Sequence, residues 1–84
     1  MKRIAVISII LENPTLNQDK VNNIIADFKG IIKGRMGLPL QEEGLSVIAV
    51  TVLGELNDIN TLTGRLGKVT DTHVKCSISK KELI

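Results

Sequence analysis

Between Ile4 and Leu11 nearly every position is apolar on both parities, with Ile4, Val6 and Ile10 on one and Ala5, Ile7, Ile9 and Leu11 on the other. This pattern predicts a strand with apolar surroundings on both faces. The period then lengthens. In "ENPTLNQDKVNNIIADFKG", Leu16, Val21, Ile24, Ile25 and Phe28 form one helical stripe, Thr15 and Gln18 stand at capping-box spacing, and Gly30 is the expected stop. From Ile31 to Met36 the alternation is that of a half-exposed strand: Ile32, Gly34 and Met36 are expected to face the core, Lys33 and Arg35 to face out, and Pro39 to end the strand. Leu45 to Leu53 is again apolar or small on both parities, Ile48/Val50/Val52 against Val47/Ala49/Thr51/Leu53.

A second helix follows, with Leu56, Ile59, Leu62 and Leu66 at helical spacing and Gly67 as the expected left-handed cap. The last strand alternates Val74/Cys76/Ile78 with His73/Lys75/Ser77, and the tail "KKELI" is expected to fray. The order β-α-β-β-α-β is that of an α+β, ferredoxin-like sandwich. Strands one and three are apolar on both faces, whereas two and four each carry a polar row. That assigns one and three to the centre of an antiparallel sheet ordered 4-1-3-2, with both helices on one face. The second apolar face of the central strands is then left open, and an exposed apolar patch marks an interface. A homo-oligomer, dimer or tetramer, is the expected consequence.

Composition supports this reading and narrows the function. The 84 residues make a single domain over 1–84 whose own core is marginal, for which association is a common remedy. Hydrophobic residues are 43% of the chain but aromatics 1%, so Ile, Val and Leu build the core around one ring, Phe28. The net charge of +2, with scattered Lys and Arg, makes no nucleic-acid footprint. Gly34-Arg35-Met36-Gly37 and Gly64-Arg65-Leu66-Gly67 match the GxxG of a nucleic-acid clamp, but neither joins two helices as that clamp requires. The start "MKRIAVISIIL" lacks a signal-peptidase site and no run reaches membrane-spanning length, so a cytoplasmic protein without membrane contact is expected.

Candidate chemistry is sparse. No nucleophile has a patterned His and carboxylate partner, so no enzymatic activity and no cofactor are expected. His73 and Cys76 are the residues suited to a soft metal, and their parity puts them on opposite sheet faces, so a metal would need copies from several subunits. The plainer reading is an edge histidine and a cysteine packed as a small hydrophobe. Asn13, Pro14 and Thr15 open the first helix, where backbone N–H groups can cap on Thr15 or receive an anion.

The words "KVNNII", "IIKGRMGLP", "LSVIAVTV" and "INTLTGRLGKV" give the chain a specific likeness over nearly its whole length. It resembles a small family described as regulators of the iron-only hydrogenase system. That family is similar to ACT-like regulatory domains and to the ligand-sensing domain of the nickel-responsive repressor, all sharing the βαββαβ plan. The resemblance implies a non-enzymatic, oligomeric regulatory module, acting on transcription or on the hydrogenase system, with a small ligand bound at an interface near Asn13, Pro14, Thr15 or Arg35. Two alternatives stay open: a metal-responsive module using His73 and Cys76 across subunits, and a structural oligomerisation adaptor. With no helix-turn-helix or ribbon arm in the sequence, direct DNA binding is expected to need another chain.

Overall fold

The computed structural model describes residues 1–83. Its elements run β1 Lys2–Glu12, α1 Pro14–Asp27, β2 Ile32–Leu40, a 3-10 turn Gln41–Glu43, β3 Leu45–Glu55, α2 Leu56–Gly67 and β4 Thr72–Ile78. The four strands are antiparallel and ordered β2-β3-β1-β4, the expected 4-1-3-2 read from the other edge. The α+β, ferredoxin-like βαββαβ fold read from the pattern is therefore the fold observed.

Ala5, Ile7, Ile9 and Leu11 of β1 and Ile48, Val50 and Val52 of β3 point toward the helices. There they meet Val21 and Ile25 of α1 and Ile59, Leu62 and Leu66 of α2 in one core. The one large ring, Phe28, packs at its margin beside Ile24, Ile31 and Ile32. A core of aliphatic side chains that are mostly β-branched on the strands, Ala5 and Leu11 apart, and mostly leucine on α2 satisfies both local propensities at once.

The opposite face is uncovered. Ile4, Val6 and Ile10 of β1, Met36 and Leu38 of β2 are exposed, with Val47, Ala49, Thr51 and Leu53 of β3 half-buried between them. Val6 is 44% exposed and Met36 69%, values far from those of the core side chains beneath the helices. The register assembles this face in rows: Leu38, Val47, Ile10 and His73 in one, Met36, Ala49, Ser8 and Lys75 in the next. The apolar part thus covers β2, β3 and β1, and β4 supplies a polar border.

Five local expectations are overturned. On β2 the pairing steps from Ile32↔Val52 to Gly34↔Thr51, so Lys33 is an extra residue. This bulge reverses the parity of everything after it. Met36 therefore lies on the open face rather than in the core, and Arg35, opposite Val50, lies on the helix side. Pro39 does not end the strand, because an edge strand tolerates a residue without an N–H. Thr15 is no N-cap: α1 begins at Pro14 behind Asn13, which takes the left-handed conformation at φ 52° and makes no side-chain cap. Leu16 is 74% exposed, and the buried stripe of α1 is Asn17, Val21 and Ile25. Gly67 is still helical, and the left-handed residue of the α2–β4 connection is Asp71 at φ 63°.

The tail also departs from expectation. Lys2 and Leu83 exchange backbone hydrogen bonds of 2.8 and 2.7 Å, and Arg3 pairs with Glu82 at 3.2 Å. The chain after β4 therefore returns alongside the start of β1.

Candidate functional site

Where β1 passes into α1, two connections lock together. Glu12 N–H donates to the Asp71 carbonyl at 2.8 Å, and the Asn13 side-chain amide donates to the Asp71 carboxylate at 3.0 Å. Both Asn13 and Asp71 have positive φ, a conformation that Asn and Asp adopt more readily than other side chains outside glycine. The clasp fixes the direction in which α1 leaves the sheet. Pro14 suits the first helical position, since its missing N–H has no helical partner to lose.

The start of α1 and the β2–β3 turn border a half-open cavity of about 620 Å³ lined by Asn13 to Leu16, Gln18, Pro39, Gln41, Gly44, Leu45 and Ser46. Gly44, at φ 68°, closes the 3-10 turn on the far wall, a conformation that a side chain would strain. Within the first turn of α1, Leu16 N–H is taken by the Asn13 carbonyl at 3.0 Å, and the buried Asn17 amide reaches the same carbonyl at 3.5 Å. Pro14 has no N–H, and among the described residues that of Thr15 finds no acceptor.

Asn13, Pro14 and Thr15 share one wall of this cavity. Arg35 does not join them. The bulge on β2 directs its guanidinium to Asn22, to whose Oδ1 it donates at 2.6 Å, and it borders a separate cleft of about 280 Å³ with Ile25, Ala26, Lys29 and Ile32. A third cleft, of about 440 Å³, holds charged groups already matched to one another: the amino group of Met1 with Glu55 at 3.0 Å and Arg3 with Glu82.

His73 and Cys76 are also kept apart. His73, opposite Ile10, stands on the open face, where its Nε2 lies 2.6 Å from Glu12 Oε2. Cys76, opposite Ile7, faces the helices and packs against the core margin. Among the described residues no three His, Cys, Asp or Glu side chains come together as a metal-binding group. No helix is long and apolar enough to cross a membrane.

One lining residue escaped the sequence pattern. Ser46 is only 7% exposed, faces the helix side and lines the same cavity. The signal was available: Ser46 is the one hydroxyl on the parity that continues as Ile48, Val50 and Val52. Read only as an apolar run, "LSVIAVTV" conceals it.

The comparisons with known proteins agree with this fold. The uncharacterized protein TM1266 from Thermotoga maritima is 28% identical, with a TM-score of 0.90 over 95% of this chain and 100% of that one. The ACT domain from the GTP pyrophosphokinase of Chlorobium tepidum is 19% identical, with a TM-score of 0.77 over 92% of this chain and 100% of that domain. The second likeness establishes the ACT-like form of the fold. No functionally curated protein matches the chain. A family model described as "TM1266-like: Iron-only hydrogenase system regulator, putative" matches residues 3–76, and the chain belongs to that family.

Proposed function

We propose that this protein is a non-enzymatic regulatory module that associates with copies of itself through the open face of its sheet and binds a small ligand in the cavity at the start of α1. The observation that carries this reading is the uncovered apolar face formed by Ile4, Val6 and Ile10 with Met36 and Leu38. Water gains nothing from contact with these side chains, and removing each from it returns on the order of 1 kcal/mol. A second copy is a fitting cover, because the same chain supplies an equal apolar patch with the same polar border, and a two-fold axis brings such patches together. Family membership and the ACT-like fold give the regulatory character; self-association and the ligand are inferences from the face and the cavity.

Light scattering on the purified protein tests the first part. A mass of two or four chains is expected at micromolar concentration, falling toward one chain in Val6→Lys. A single-chain mass for the unaltered protein overturns the association. A thermal-shift screen of small acids and amino acids tests the second, and a rise in melting temperature is expected with at least one of them. If none produces it, an adaptor that associates without a ligand is the better description. The metal-sensing alternative has less to rest on, since His73 and Cys76 lie on opposite faces and each already has a local setting.

A further inference from the structure

We infer that the cleft between the second half of α1 and β2 binds a small, doubly charged oxyanion of the phosphate type, held by Arg35, Lys29 and the Asn22 side-chain amide. The cleft is assembled from two elements. Asn22, Ile25, Ala26 and Lys29 recur at the three- and four-residue spacing that puts them on one side of α1 and the turn after it, and Ile32 and Arg35 meet them from β2. Arg35 reaches this side because Lys33 is an extra residue in the strand. Neither the cavity at the start of α1 nor the open sheet face contributes a group, so the site stands apart from the function proposed above.

Hydrogen bonds hold the donors in place before any ligand arrives, which lowers the cost of binding. Arg35 Nη2 donates to Asn22 Oδ1 at 2.6 Å, and Gln18 Nε2 donates to the same oxygen at 3.2 Å. Because a guanidinium can only donate, the atom it contacts is the Asn22 oxygen, and Nδ2, which finds no acceptor among the described residues, is the end left for an anion. The charges point the same way. Among the described residues neither Arg35 nor Lys29 forms an ion pair, no Asp or Glu lines the cleft, and the Asp27 carboxylate at the end of α1 is engaged by Arg65 at 2.9 Å. Two unpaired cations and an amide donor match the two charges and several acceptor oxygens of a phosphate group near neutral pH. The volume of about 280 Å³ falls just below the range of about 300–1,000 Å³ common for drug-sized ligands. It suits phosphate or a short phosphate monoester whose body rests on Ile25, Ala26 and Ile32.

Titration with inorganic phosphate, followed residue by residue in the amide NMR spectrum at low ionic strength, tests the site, because salt screens exposed charges. Saturable shifts are expected at the Asn22 side-chain amide and at the backbone of Lys29 and Arg35, with acetate at equal ionic strength at least about fivefold weaker for want of a second charge. Arg35→Gln is expected to weaken phosphate about tenfold, in line with lost hydrogen bonds to a charged group. Asn22→Asp sets a carboxylate against the guanidinium and is expected to abolish binding, while its melting curve stays that of a folded chain. Lys80→Gln removes the same charge from the exposed tail beyond β4, the sheet edge opposite β2, and is expected to leave binding unchanged. Shifts that do not saturate, or that centre on Thr15 rather than Asn22, overturn the site. Equal weakening by Lys80→Gln also overturns it, since that result reports attraction to net charge alone. Acetate binding as tightly as phosphate overturns the assignment to a doubly charged ligand.

Discussion

Ile31 lies directly over Gly54, its Cγ2 2.9 Å from the point that a β-carbon on Gly54 would occupy. The same residue accepts the Leu53 N–H at 2.8 Å, so the segment before β2 is anchored to β3 just where the glycine leaves room for its side chain. In most strands an alanine replaces a glycine at a gain, because the unfolded chain loses freedom. Here the stiff, β-branched Ile31 cannot turn aside, and Gly54→Ala is expected to destabilise the fold by about 1–3 kcal/mol through overpacking. Chemical denaturation checks this. Pairing it with Ile31→Ala should recover part of the loss, as expected for two side chains competing for one space.

The two helical leucines at opposite extremes of exposure should behave very differently. Leu62 is fully buried in the core, and Leu62→Ala is expected to cost about 2–5 kcal/mol. Leu16, at 74% exposure, is expected to tolerate alanine within about 0.5 kcal/mol. Equal costs in thermal or chemical melts would contradict the placement of α1.

Those two residues also bound what the sequence made legible. Leu62 sits in a stripe with Ile59 and Leu66 that has no competing apolar position, so its inward face could be read directly. In α1 the apolar stripe misled, because the inward position one turn before Val21 is held by Asn17, a polar residue that bonds back to the Asn13 carbonyl. Periodicity weighs hydrophobicity and has no means of counting a hydrogen-bonded amide as core. The doubly apolar strands β1 and β3 fixed both the sheet order and the open face, since a strand apolar on both sides belongs at the centre. On β2 a single extra residue, Lys33, reversed the faces of Arg35 and Met36. A bulge leaves no trace in an alternation that is polar and small on either parity. Asn13, Pro14 and Thr15 drew attention by their place at the start of a helix, whereas Ser46 comes to the same cavity from a strand 31 residues beyond Thr15, a juxtaposition that only the fold makes.

Removing that extra residue is informative. Deletion of Lys33 joins Ile32 to Gly34, whose partners Val52 and Thr51 are already neighbours, so β2 becomes regular with Ile32 still on the core side and Met36 still on the open face. Because no side chain has to change face, a loss of no more than about 1 kcal/mol is expected. Lys33→Ala, which keeps the bulge, should cost less than about 0.5 kcal/mol. A loss of about 2 kcal/mol or more on deletion, beside an unchanged Lys33→Ala, would contradict a bulge at Lys33, because deleting a residue from a regular strand turns every later side chain to the other face.

Arg65 joins the ends of the two helices. Its guanidinium donates to the Asp27 carboxylate at 2.9 Å and stands 5.6 Å from the centre of the Phe28 ring. Both charged partners are well exposed, so the ion pair alone is worth little, and the stack on Phe28 adds about 0.5–1 kcal/mol. Arg65→Ala is expected to lower stability by about 0.5–1.5 kcal/mol in a denaturant titration. Arg65→Lys should recover less than half of it, because an ammonium reproduces the charge but not the flat stacking group.

The most direct test of self-association through the open sheet face is the solution mass of the unaltered protein, measured by light scattering beside that of Val6→Lys. A mass of two or four times 9.2 kDa is expected, falling toward 9.2 kDa in the variant while its circular dichroism stays that of the folded chain. A mass of 9.2 kDa for the unaltered protein at micromolar concentration would contradict it, as would an oligomer that Val6→Lys leaves intact.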